Sequence, residues 1–160
     1  MNFLQTKINE MKKRKEEGNK GFSLVELIIV IAIMAILVGI VGTQVIPYIN
    51  KSKESKDLQV INSLSTAAVS SYTENADSIT ATNTLEVLVY GDLGSTDADK
   101  KLLATEIQKK TYETSFPKSK MQSTEGKKIT DVKITFDFTN KTVKTEVVGS
   151  SAFKAVDANL

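Results

Sequence analysis

A chain of 160 residues with a formal net charge of +2, no Cys and no His has room for one small globular domain beside one long apolar segment. It excludes disulfides, thiol chemistry, the usual zinc, copper and iron sites, and nucleophile–His catalysis. The leader 1–21 holds Lys7, Lys12, Lys13, Arg14, Lys15 and Lys20 against Glu10, Glu16 and Glu17, a net of +3; the remainder nets −1, so no nucleic-acid partner is expected, and no metal or cofactor either.

The leader runs into a stretch in which, from Phe22 to Gly42, the only polar side chains are Ser23 and Glu26. At about 1.5 Å per residue a helix over it spans roughly the 30 Å of a bilayer core. The run is longer than the apolar core of a secretory signal peptide, nothing like A-x-A follows it, and the lack of Cys excludes a lipoprotein box. Six basic residues precede it and three, Lys51, Lys53 and Lys56, lie just beyond, which puts the leader in the cytoplasm and the C-terminal part outside. A plain single-pass anchor of a membrane sensor accounts for length and charge. It leaves Glu26 unexplained, because a carboxylate in hydrocarbon is costly without a partner and marks a functional position.

The stretch Lys20-Gly21-Phe22-Ser23-Leu24-Val25-Glu26 resembles the processing site of type IV prepilins: a basic leader, Gly then Phe, and Glu four residues after Phe, all ahead of an apolar helix. The resemblance covers the first third of the chain. It implies that a membrane-embedded prepilin peptidase removes the leader by cutting between Gly21 and Phe22 and methylates the new α-amine of Phe22. It also implies that Glu26 registers an incoming subunit through that subunit's terminus. The residues suit this chemistry, since Gly21 has no side chain to obstruct close backbone approach. An amine and a carboxylate about 4 Å apart attract by about 4 kcal/mol at an effective dielectric near 20, before desolvation. Four residues also put Glu26 on the helical face of Phe22, so a pair within one chain is the alternative.

Gly39, Gly42 and Pro47 follow, each unfavourable inside a helix, and a kink or local melting is expected there. In Gram-negative members of the family the helix breaks a few residues earlier, where Ala35 and Thr43 stand here. Leu58, Ile61, Leu64, Ala68 and Tyr72 then recur at helical spacing. One helix over residues 22–76 is therefore expected, about 80 Å long if unbroken. Its part 22–46 is apolar, transmembrane before assembly and filament core afterwards, and its later half lies under a head formed by 77–160.

In the head, 77–84 reads as a loop. Asn83 and Glu86 suggest a capping box for a short helix over Leu85–Val89, stopped by Gly91. Thr96 or Asp97 caps a helix of about Asp97–Thr111. After Gly126 the period changes to two: Val132, Ile134, Phe136 and Phe138, a turn at 139–142, then Val143, Thr145 and Val147, a hairpin whose apolar face covers the Leu58–Tyr72 stripe. Phe153 and Val156 tack the tail to the sheet edge. The fold class is α+β, the type IV pilin fold that the resemblance also implies.

No catalytic constellation stands out. Asp131 and Asp137 read as solvated charges, and Asn140-Lys141-Thr142 reads as a turn before a glycosylation acceptor. Residues 74–99 carry six acids and no Lys or Arg, while 100–128 carry eight Lys against three Glu. Lys100, Lys101, Lys109 and Lys110 are candidate contacts to the acidic block of a neighbouring subunit, with solvated faces the simpler reading. The resemblance thus implies a non-enzymatic pilus subunit, a helical homopolymer of itself served by the peptidase and the inner-membrane assembly machinery. It would leave the cytoplasmic membrane for an extracellular filament used in adhesion, motility or biofilm formation. The Cys-free head resembles Gram-positive, clostridial-like major pilins, and a pseudopilin or minor pilin of a secretion or DNA-uptake machine is the alternative.

Overall fold

A computed structural model describes residues 3–18, 21–111 and 113–160, apart from the side chains of 14–18. The chain divides into two units, Met1–Ile46 and Pro47–Leu160. In the first, helix α1 spans Phe3–Gly18 and helix α2 spans Leu24–Ile40. The run Ile28, Ile29, Val30, Ile31, Ile33 is rich in β-branched residues that favour strands in water. They form a helix all the same, in which a single segment satisfies its own backbone hydrogen bonds. No residue of α2 is buried.

A π-helical turn, Val41–Val45, follows α2, and the N–H of Ile46 reaches the carbonyl of Val41. The Thr43 hydroxyl donates to the Gly39 carbonyl at 2.9 Å. Pro47 has no N–H for the Thr43 carbonyl, so a shift of the bonding pattern here has a local cause. The helical backbone is continuous from Leu24 to Ser78, and the expected disturbance at Gly39–Pro47 takes the form of this π turn instead of a break.

In the second unit, helix α3, Ile46–Asn75, turns Ile61, Leu64, Ala67 and Ala68 into the core. They meet a four-stranded antiparallel sheet in the order β1-β2-β3-β4, with β1 Thr84–Leu88, β2 Asp131–Asp137, β3 Thr142–Val148 and β4 Val156–Asn159. The expected alternation holds: Val132, Ile134, Phe136, Val143 and Thr145 are buried, and the Tyr72 ring lies 6.1 Å from Phe136 and 5.2 Å from Phe138. Lys141, at φ 53°, takes the left-handed position of the hairpin turn.

Residues 84–88 are a strand, not the expected short helix. Leu85 and Val87 point inward opposite Phe136 and Ile134, so period-two burial against β2 outweighs the local capping signal. Asn83 caps nothing; its carbonyl accepts the N–H of Phe138 at 2.9 Å. Helix α4, Ala98–Thr111, forms as expected, with Asp97 accepting the N–H groups of Asp99 and Lys100 and with Leu103, Ala104 and Ile107 buried. The tail is better ordered than its sequence suggests: β4 completes the sheet edge beside β3.

Candidate processing and assembly site

Gly21, Phe22 and Ser23 precede α2 in non-helical backbone. Ser23, at φ −62° and ψ 145°, is the N-cap, and a capping box closes the helix start. The Ser23 hydroxyl accepts the N–H of Val25 at 3.3 Å, and the Glu26 carboxylate accepts the N–H of Ser23 at 2.8 Å. Glu26 thus stands in the first turn, where the helix dipole favours an anion. This role of Ser23 was legible in the spacing S-x-x-E but is masked by the more conspicuous Glu26.

The box fixes where the helix begins and leaves the Gly21–Phe22 bond outside it. Phe22 is 86% exposed, and a Cβ built on Gly21 would meet nothing within 4 Å. No steric demand inside the chain therefore requires glycine at 21. Gly39 and Gly42 are equally open around their Cβ positions, so the fold of the chain gives no packing reason for them either. Lys20, ahead of the expected cut, lies outside the described residues.

The head uses aspartates to hold loops of the kind that small exported domains often tie by disulfides. Asp57, 1% exposed on α3, accepts the N–H of Gln122 at 2.7 Å, the N–H of Ser123 at 2.9 Å and the Ser123 hydroxyl. Gly126 packs on this carboxylate so closely that a methyl group there would collide with it. Asp99 accepts from the N–H groups of Thr80 and Ala81 and from the Thr80 hydroxyl. Asp131 accepts the N–H groups of Tyr90 and Val132, and Asp137 those of Thr139 and Asn140. Asp131 and Asp137 are thus half-buried structural acceptors, a correction to their reading as solvated charges. The backbone N–H of Asn140, with its side-chain amide, holds the Asp137 carboxyl below its ordinary value.

The two charge blocks meet partly within one head. Lys110 pairs with Glu74 at 2.7 Å and Lys109 with Glu106 at 2.7 Å, and the Lys110 hydrogen bond lowers the Glu74 pKa. Asp92, Asp97 and Asp99 are occupied by backbone N–H groups. Among the described residues Lys100 and Lys101 take part in no ion pair, and the four lysines are spread around α4. On the sheet surface Lys133 and Lys144 both pair with Glu146 and lower its pKa, Lys144 contributing more. Burial pushes the Tyr90 phenol up to about 12. No group of three or more His, Cys, Asp or Glu able to hold a metal occurs among the described residues.

The prokaryotic N-terminal methylation motif, the type IV pilin signal, is matched by residues 18–42, the stretch that holds Gly21, the capping box, α2 and the start of the π turn. No curated protein and no solved structure matches the chain. The motif, joined to a long apolar helix followed by a four-stranded antiparallel sheet, supports a type IV pilin or pseudopilin-like protein. Such a motif implies processing by prepilin peptidase and assembly into a pilus-type filament from a membrane-anchored precursor.

Proposed function

We propose that this chain is the precursor of a pilus subunit that is cut between Gly21 and Phe22, methylated on the Phe22 amine and polymerised through α2 into a surface filament for adhesion, motility or biofilm formation. Its partners are then prepilin peptidase, the inner-membrane assembly machinery and further copies of itself, and its role is structural. The observation that carries this reading is the exposed, non-helical Gly21–Phe22 bond standing immediately outside the capping box of a helix with no buried residue. With no internal reason for glycine at 21, the reason lies with the enzyme that approaches the bond.

Cleavage gives Glu26 a new partner. In the precursor it accepts a backbone N–H. Afterwards a charged amine stands at Phe22, in this subunit or its neighbour, and an ion pair in a water-poor filament core exceeds a neutral hydrogen bond in strength. Gly39, Gly42 and Pro47 give the spine a place to loosen as subunits pack. Mass spectrometry of membrane-extracted protein from peptidase-competent cells tests the reading. A chain beginning with N-methyl-Phe22 is expected, and one beginning at Met1 rejects it. Abundance in sheared surface filaments separates a major pilin from a pseudopilin.

A further inference from the structure

The leader is itself an ordered, amphipathic element. Helix α1 presents Phe3, Leu4, Ile8 and Met11 at 74%, 72%, 49% and 60% exposure, and no apolar partner covers them among the described residues. At about 100° per residue these four side chains fall within a sector of about 140°. Lys7 lies inside that sector, its Nζ 5.4 Å from the centre of the Phe3 ring, and Lys12 flanks it. Thr6 and Asn9 occupy the opposite side.

We infer that α1 is a membrane-surface helix whose Phe3–Leu4–Ile8–Met11 face docks into the cytoplasmic leaflet while its lysines hold anionic phospholipid headgroups. This rests on the reading of α2 as a membrane span. Two further observations select lipid as the occupant. Only residues 19–23 separate the end of α1 from the start of α2, a reach of about 20 Å at full extension, so the face is confined near the bilayer surface. The leader also carries a net charge of +3, complementary to the anionic cytoplasmic leaflet, and long Lys stems beside an apolar face suit an interfacial helix. A docked α1 and an inserted α2 hold the Gly21–Phe22 bond between them at the headgroup layer.

The absence of cysteine allows a single dye to be placed at will. Full-length uncut variants Leu4→Cys, Thr6→Cys, Ile8→Cys, Asn9→Cys and Ile33→Cys, each carrying an environment-sensitive nitrobenzoxadiazole dye, are reconstituted in phosphatidylcholine vesicles with and without phosphatidylglycerol. With phosphatidylglycerol, dyes at 4 and 8 are expected to shift to the blue and to be quenched by acyl-brominated lipid, while those at 6 and 9 stay in water. Each Lys near an anionic surface favours docking about fivefold, so Lys7→Gln with Lys12→Gln is expected to undock the helix. Salt at about 1 M, where the Debye length is about 3 Å, is expected to do the same.

Equal water exposure at 4, 6, 8 and 9 with residue 33 still buried overturns the inference. Equal burial in vesicles lacking phosphatidylglycerol overturns its headgroup part. Burial that disappears as protein is diluted into lipid assigns the face to a second copy and overturns it as well. Water exposure of the dye at 33 overturns the membrane reading of α2 first, and the inference with it.

Discussion

In α2 none of the seventeen residues is buried, whereas in the head Ile61, Leu64, Val87, Ile107, Ile134 and Phe136 are sealed at 2% exposure or less. The head closes an apolar core from its own chain. The N-terminal unit leaves its apolar side chains uncovered; under the proposed function a bilayer covers them first and neighbouring helices later. Two carboxylates show the same contrast. Glu26 bonds three residues away on an exposed helix end, and Asp57 bonds across 65 and 66 residues in a buried site. A local, exposed bond leaves Glu26 free to change partner, while a buried, distant one commits Asp57 to the fold.

Removing Glu26 gives the sharpest break in this comparison. Glu26→Val is expected to lower the yield of sheared filaments at least about tenfold, one 1.4 kcal/mol step of subunit affinity, while the mass of the processed chain still shows methyl-Phe22 and the head keeps its thermal midpoint. Normal filaments from this variant would remove Glu26 from assembly.

Asp57→Ala tests the other side. It strands the N–H groups of Gln122 and Ser123 and is expected to destabilise the head by about 3 kcal/mol, from bonds to a charged acceptor and a buried site left unfilled. Thermal unfolding followed by circular dichroism in detergent is expected to show a midpoint about 10 °C lower or more. A midpoint unmoved by the substitution would mean that the loop 121–126 is held by other contacts.

A gain is expected from Thr145→Val. The Thr145 hydroxyl is buried in β3 without a partner, and valine keeps the branched shape. Removing an unsatisfied buried group is expected to stabilise the head by about 1 kcal/mol, read as a midpoint a few degrees higher in the same assay. A lower midpoint would show that the hydroxyl is satisfied in solution.

The elements legible in the sequence are those whose signals are local. The Gly21–Glu26 motif is a run of adjacent residue types, the β2–β3 hairpin is an alternation joined by its own turn, and α4 shows its cap and apolar face within one segment. Strand β1 was illegible because its partner β2 begins more than forty residues later, and Asn83 and Glu86 mimic a helix start nearby. Asp57 gave no sign of its role, since on α3 it follows Lys53, Glu54 and Lys56 and looks like one more surface charge. Only the folded loop at 121–126 distinguishes it. At the candidate site the residues were readable, but the box that sets the helix start depends on the backbone geometry of Ser23.

The smallest expected effects concern the lysines of α4, and the structure separates two roles that the charge blocks alone do not. Lys110 already pairs with Glu74, so Lys110→Glu places two carboxylates together and is expected to lower the head's thermal midpoint only slightly, because exposed pairs contribute little. Lys100 and Lys101 have no ion pair among the described residues, so reversing both to Glu is expected to leave the head's stability within about half a kcal/mol. If they face an acidic surface of the next subunit, the same reversal shortens or softens filaments, and more so in low salt, where exposed charges are least screened. Filament yield and bending stiffness measured across salt concentrations decide the matter. Equal values for Lys100→Glu/Lys101→Glu and the parent chain would assign these lysines to solvent and leave the interface to the apolar helix and Glu26.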